Sequence, residues 1–142
     1  MLDQKRYEEE FKVLKSKLPD NAWTFRDLNG PRPYLAAAVK TRSGRLYTIQ
    51  IELADFPNSV PKVFVTQMLR DCDGNEMRDA KHSTHTLPSE HGWTRICHYG
   101  PESWTPRVAL YKIYVKCALW LNIYELHLKT HLPMEYYLKR QA

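Results

Sequence analysis

The sequence predicts an α+β domain in which helices stand apart from an antiparallel sheet, and three observations predict it. Apolar residues near the start recur at helical spacing. A stretch in the first half alternates apolar and polar residues at strand spacing. A long run near the end returns to the helical period. The expected order is an N-terminal helix, a four-stranded antiparallel meander, a long irregular segment and C-terminal helices.

Residues 3–18 read as an amphipathic helix. Asp3 is placed to cap it, and Tyr7, Phe11, Leu14 and Leu18 form one apolar stripe. Leu18-Pro19 ends it, because a residue before proline is pushed out of the helical region. Trp23 to Leu28 is the first expected strand, and Asn29-Gly30-Pro31 the turn after it. Tyr34 to Lys40 is the second. Leu46 to Leu53 alternates strictly, with Tyr47, Ile49, Ile51 and Leu53 on one side. Pro57 and Pro61 then forbid regular pairing, and Lys62 to Met68 is the last strand of the meander.

Residues 70–106 are rich in Asp, Gly, His, Pro and Ser and hold no sustained period. So long an irregular stretch inside a domain is uncommon and often functional. Thr105 and Pro106 are expected to open the next helix, as cap and first helical residue. Leu110, Ile113, Cys117, Trp120, Leu121, Tyr124 and Leu128 share one face of it. Pro133 is expected to end it, with a short helix at 134–138.

One domain over residues 1–142 fits this length, and 43% hydrophobic residues supply a core. Charged residues make up 26% with both signs mixed, which excludes a disordered chain. No run approaches the roughly 20 apolar residues of a membrane span, and the N-terminus has no apolar signal core. A cytoplasmic protein is expected. Three cysteines, none in a CxxC pair, argue for reduced thiols rather than a disulfide framework. The formal charge of +5 admits an acidic or nucleic-acid partner, yet there is no dense basic stretch, so nucleic acid is not the expected partner.

Three motifs in this order resemble the ubiquitin-conjugating (UBC) fold. Phe56-Pro57-Asn58-Ser59-Val60-Pro61-Lys62-Val63 looks like the family's proline-rich turn and following strand. Ile96-Cys97 matches the setting of its active-site cysteine. Trp104-Thr105-Pro106, seven residues after Cys97, is similar to the Trp-x-Pro that precedes its long helix. The resemblance spans nearly the whole chain. Cys97-His98-Tyr99, Pro101, Trp104, Pro106 and then Trp120-Leu121, Tyr124-Glu125, Leu128 and Thr130 resemble the stand-alone conjugating-like proteins of bacterial CBASS anti-phage operons. That likeness implies an antiviral role and a cyclic-nucleotide synthase, or a ubiquitin-like protein, whose C-terminal glycine is carried on the cysteine. The family's His-Pro-Asn triplet is missing. Histidines stand instead in Lys81-His82-Ser83-Thr84-His85-Thr86. His85, twelve residues before Cys97, is the counterpart of the histidine that organises the active-site loop in the family. The Asn that helps stabilise the oxyanion there has no evident replacement.

Cys97 is the expected nucleophile, since a thiol accepts an acyl group and passes it to an amine. The polar, turn-rich residues around it argue against a plain core thiol. Cys117 lies on the apolar helix face and reads as core. Cys72, between Asp71 and Asp73, sits where a thiolate is disfavoured. His98 and Arg95 adjoin Cys97, but successive side chains on an extended chain point to opposite sides, so His98 is a supporting residue and not a base. Trp104 is expected beneath the active-site segment. Glu102 is the nearest acid able to receive a proton from an amine. Trp120, Tyr124 and Glu125 are read either as core or as a contact with the synthase.

His82, His85, His91 and His98 with Cys72 and Cys97 raise a zinc site, but no CxxC or helical HExxH accompanies them, and no metal is expected. No cofactor is expected either, for want of a glycine-rich phosphate loop. The rivals to a conjugating enzyme are a non-catalytic UBC-like binding module, a Cys-His hydrolase and a nucleic-acid-binding domain.

Overall fold

The computed structural model describes residues 3–141. Helix α1 (Gln4–Lys17) starts where the Asp3 carboxylate accepts a hydrogen bond from the Arg6 amide at 3.3 Å. It ends at Leu18, which is extended before Pro19. A 3-10 turn at Asp20–Ala22 leads into β1 (Trp23–Arg26), β2 (Tyr34–Lys40), β3 (Leu46–Glu52) and β4 (Val63–Val65). Then come β5 (Thr86–Glu90), β6 (Trp93–Ile96), a 3-10 turn at Pro101–Ser103, α2 (Leu110–Thr130) and α3 (Met134–Gln141).

The fold is α+β, with an N-terminal helix, one antiparallel sheet and C-terminal helices. The sheet has six strands in the order β1-β2-β3-β4-β6-β5. It exceeds the expected four-stranded meander because the segment 70–106 is not wholly irregular. Its second half folds into the β5–β6 hairpin, which adds to the sheet beside β4. The hairpin escapes a reading by alternation because Pro88 and a register shift between Leu87 and Glu90 break the period of β5. Its two-residue turn, His91-Gly92, has positive φ at both positions, the geometry that matches the twist of paired strands. The last meander strand is correspondingly short, Val63–Val65 in place of 62–68.

One face of the sheet carries the core. Leu35, Ala37, Val39, Tyr47, Ile49, Ile51, Val63, Val65 and Ile96 point into it, as the strand period requires. Helix α2 covers them with Leu110, Ile113, Cys117, Trp120, Leu121 and Tyr124, while α1 adds Leu14 and α3 adds Met134. The other face holds a second, smaller apolar group. There Phe64 is buried beneath His91 and Trp93, whose rings lie 5.5 Å and 6.3 Å from its own.

Helix α2 begins at Leu110, later than Thr105-Pro106 led one to expect. Those residues form a turn instead, and the N-cap Ala109 offers no side-chain bond. The cap comes from elsewhere in the fold: Oε1 of buried Glu10 accepts the Leu110 amide at 2.9 Å. Arg6 completes the joint. It pairs with Glu10 at 2.8 Å and donates to the carbonyls of Pro106 and Val108. At its far end α2 stops at Thr130, with His131 in the left-handed region as cap, ahead of Pro133. Among the described residues, no helix is long and apolar enough to cross a membrane.

Candidate active site around Cys97

Cys97 follows β6 directly. Its amide extends the β5–β6 ladder by one bond, to the carbonyl of His85 at 2.9 Å. Thr94 and Ile96 are buried on the core side of β6, so Trp93 and Arg95 face the other way. Arg95 stands two residues before Cys97, the spacing that returns a strand to the same side. This is the site residue that sequence reasoning under-weighted, and the period of two was the signal for it.

The thiol is half-buried, and burial pushes it above the ordinary thiol value. The Arg95 guanidinium pulls the other way and the Glu102 carboxylate adds to the rise. Glu102 lies in the 3-10 turn, folded back over the chain. A β-carbon on Gly100 would lie 2.3 Å from its Oε1, so a larger residue there would make that carboxylate swing aside. The Glu102 carboxylate is near enough to be felt at the thiol.

The segment after Cys97 is pinned to the proline-rich loop by two ring nitrogens. Nε2–H of His98 donates to the Pro61 carbonyl at 2.8 Å, and Nε1–H of Trp104 donates to the Pro57 carbonyl at 3.0 Å. Trp104 also meets Phe56 and Tyr99 edge-on, with centroids 6.1 Å and 5.5 Å away. The ammonium of Lys116 caps Tyr99 at 3.7 Å from the ring centroid. Both His98 and Trp104 thus support the segment. His98 is held as the neutral Nε2–H tautomer. Burial drives it down to about 4, against the Pro61 bond that favours the charged form, and among the described residues its buried Nδ1 has no partner.

His85 serves the site through its backbone. Its carbonyl accepts from the Cys97 amide and from Nε1–H of Trp120, at 3.2 Å. Its own φ is +49°, an uncommon conformation for a residue with a β-carbon. The imidazole turns to His82, with ring centroids 5.4 Å apart, and burial, then His82, lower its proton affinity while Glu135 of α3 raises it. Among the described residues, no histidine nitrogen hydrogen-bonds the Cys97 thiol. The other histidines disperse as well. His91 stands at a hairpin tip, 3.7 Å from Glu52. Among the described residues, no three His, Cys, Asp or Glu side chains are grouped to hold a metal ion.

Trp120 and Tyr124 are 2% and 5% exposed and stack at 5.8 Å, so the choice between core and surface falls to core. Trp120 spends its N–H on the Thr84 and His85 carbonyls, and the Tyr124 hydroxyl donates to the Arg70 carbonyl at 2.6 Å. Glu125 is half-exposed and accepts from the hydroxyls of Ser43 and Tyr47 at 2.9 Å and 2.8 Å. Cys117 is fully buried in the core and its thiol is pushed far up. Cys72 is half-buried, with its thiol raised by desolvation, then by Asp73 and Asp71. Compared with known proteins, the chain matches no family model, no curated protein and no solved structure.

Proposed function

We propose that the chain is a UBC-like protein-conjugating enzyme. It receives the C-terminus of a partner protein on Cys97 as a thioester and transfers it to an amine. The observation that carries this reading is the setting of Cys97: a half-buried thiol at the end of a core strand, leading a segment tied at both His98 and Trp104 to a proline loop. The order of the three motifs supports it. The donor is a protein ending in glycine, either a cyclic-nucleotide synthase in bacterial anti-phage defence or a ubiquitin-like protein, and the compartment is the cytoplasm.

The electrostatics favour acyl carriage over resting nucleophilicity. Burial penalises the thiolate, but a thioester is neutral and escapes that penalty. Arg95 offsets part of the cost when the thiolate forms during exchange with an incoming thioester. In transfer, the amine attacks the thioester carbonyl, the C–S bond breaks and the thiolate leaves. Glu102 takes the proton that the amine loses. Any ATP-dependent activation of the partner's C-terminus belongs to another protein.

A non-catalytic binding module is the second reading, favoured by the missing His-Pro-Asn triplet. Intact mass under non-reducing conditions separates the two. The chain is co-expressed with glycine-ended partners and their activating enzyme. On the lead reading, wild type shows a thiol-sensitive adduct and Cys97→Ser a thiol-resistant one. Partner binding that survives in Cys97→Ala with no adduct on wild type would overturn it.

A further inference from the structure

On the side of the molecule away from the core, a groove of about 670 Å³ runs between the β2–β3 turn and the C-terminal half of α2. Arg42, Ser43 and Arg45 form one wall. Leu119, Asn122, Ile123, Leu126 and Lys129 come from the helix. Val115, Leu119, Asn122, Leu126 and Lys129 recur at spacings of four, three, four and three, which makes a straight stripe opposite the buried face of α2. A solvent-facing stripe is ordinarily polar. Here Val115, Leu119 and Leu126 are 44%, 38% and 42% exposed.

The charges around the stripe are one-sided. Arg42, Arg45 and Lys129 are exposed, and among the described residues none of them forms an ion pair. The one carboxylate of the groove, Glu125, is engaged by Ser43 and Tyr47. Desolvation opposes its charge, but hydrogen bonds from Thr41, Tyr47 and Ser43, with Arg45, outweigh that and hold it ionised. Arg45 lies over the Tyr47 ring at 5.7 Å and is felt by Glu125, while Arg42 and Lys129 are less committed, and three cations against one carboxylate leave the groove net positive by two.

We propose that this groove binds an amphipathic helix of another protein, with apolar residues every three or four positions and Asp or Glu along both flanks. The helical stripe sets the spacing of the apolar contacts, and Arg42, Arg45 and Lys129 select the acidic flanks. A second copy of the chain fits poorly. Paired through this face by a two-fold axis, it would bring the same three cations against themselves. The site is separate from Cys97 and does not depend on acyl carriage.

The probe is a synthetic helical peptide with Leu at alternating three- and four-residue spacing and Glu on its flanks. Fluorescence anisotropy gives the affinity, beside a peptide of the same Leu pattern flanked by Lys. The Glu peptide is expected to bind at least ten-fold more tightly than the Lys peptide, and more weakly as salt rises. Leu119→Glu and Arg42→Glu are each expected to weaken it about ten-fold with an unchanged thermal midpoint, since both side chains are exposed, while Cys97→Ala leaves it unchanged. Equal affinity for the two peptides, no binding at millimolar peptide, or indifference to Leu119→Glu would overturn the proposal. So would a concentration-dependent dimer that Leu119→Glu abolishes, which would make the occupant a second copy.

Discussion

The carboxylate of Glu10 caps a helix that begins one hundred residues later, accepting the Leu110 amide at 2.9 Å while Arg6 holds its other oxygen. The first amides of a helix lack partners within it. Here α1 supplies one across the core. The pair thereby fixes where α2 starts, and with it the end of the segment that carries Cys97.

Glu10→Ala therefore removes a helix cap and the carboxylate that pairs with Arg6 Nε, leaving Arg6 only the Pro106 and Val108 carbonyls. A loss of about 2 kcal/mol or more in urea unfolding is expected, from the cap and the buried donor together. Glu10→Gln keeps an acceptor for Leu110 and should recover part of it. If Glu10→Ala costs no more than an exposed surface change, the cap does not organise α2.

Stability should fall on mild acidification, and His98 sets the window. Its folded value is about 4 against an ordinary 6.5, because burial disfavours the charged ring. Above 6.5 both states are neutral and pH has no effect through this group. Between 6.5 and 4 the unfolded chain takes the proton and the folded chain does not, so stability drops as pH falls, by on the order of 3 kcal/mol in all. His85, lowered by burial and His82, adds in the same direction. Glu90 and Glu125, both lowered, act below their ordinary 4.5, so most of their effect lies at lower pH. Urea unfolding at pH 7, 5.5 and 4.5 should show a slope that His98→Gln, which still donates to Pro61, reduces by about half or more. An unchanged slope would place the effect elsewhere.

Cys97 and Cys117 should separate under iodoacetamide. Cys117 is expected to stay unmodified in the folded protein, being fully buried. Cys97 should react, with a pH midpoint above that of a free thiol, and Arg95→Gln should move the midpoint further up by removing the one nearby cation that favours the thiolate. A midpoint below the free-thiol value would contradict the burial described for this site.

Trp104→Phe tests the pin on the segment that follows Cys97. The ring contacts with Phe56 and Tyr99 survive while the bond to the Pro57 carbonyl is lost. Stability should fall by about 1 kcal/mol, and Cys97 alkylation should quicken several-fold as the segment loosens. Unaltered alkylation with the same loss of stability would confine Trp104 to packing.

Local pattern carried much of this fold. The stripe of α1 with its Asp3 cap, the alternation of β3 and the buried face of α2 all follow from periods of 3.6 and 2 that any reader of the chain can count. The standing of Cys117 on the buried face was legible for the same reason, and that of Cys97 outside the helix from its polar, turn-rich neighbours. What lay beyond local pattern was set by partners distant in the chain. The β5–β6 hairpin needs β4 to pair with, and its own bulged, proline-bearing strand does not announce it. The start of α2 depends on Glu10, and no property of Thr105 or Pro106 discloses that. Whether Trp120 and Tyr124 face a partner or the core turns on which carbonyls come to meet them, those of Thr84, His85 and Arg70. Sequence determines periodicity, and periodicity determines which face of an element is apolar. Only the packed chain decides which polar group satisfies which, because a hydrogen bond between residues one hundred apart exists only once the core has brought them together.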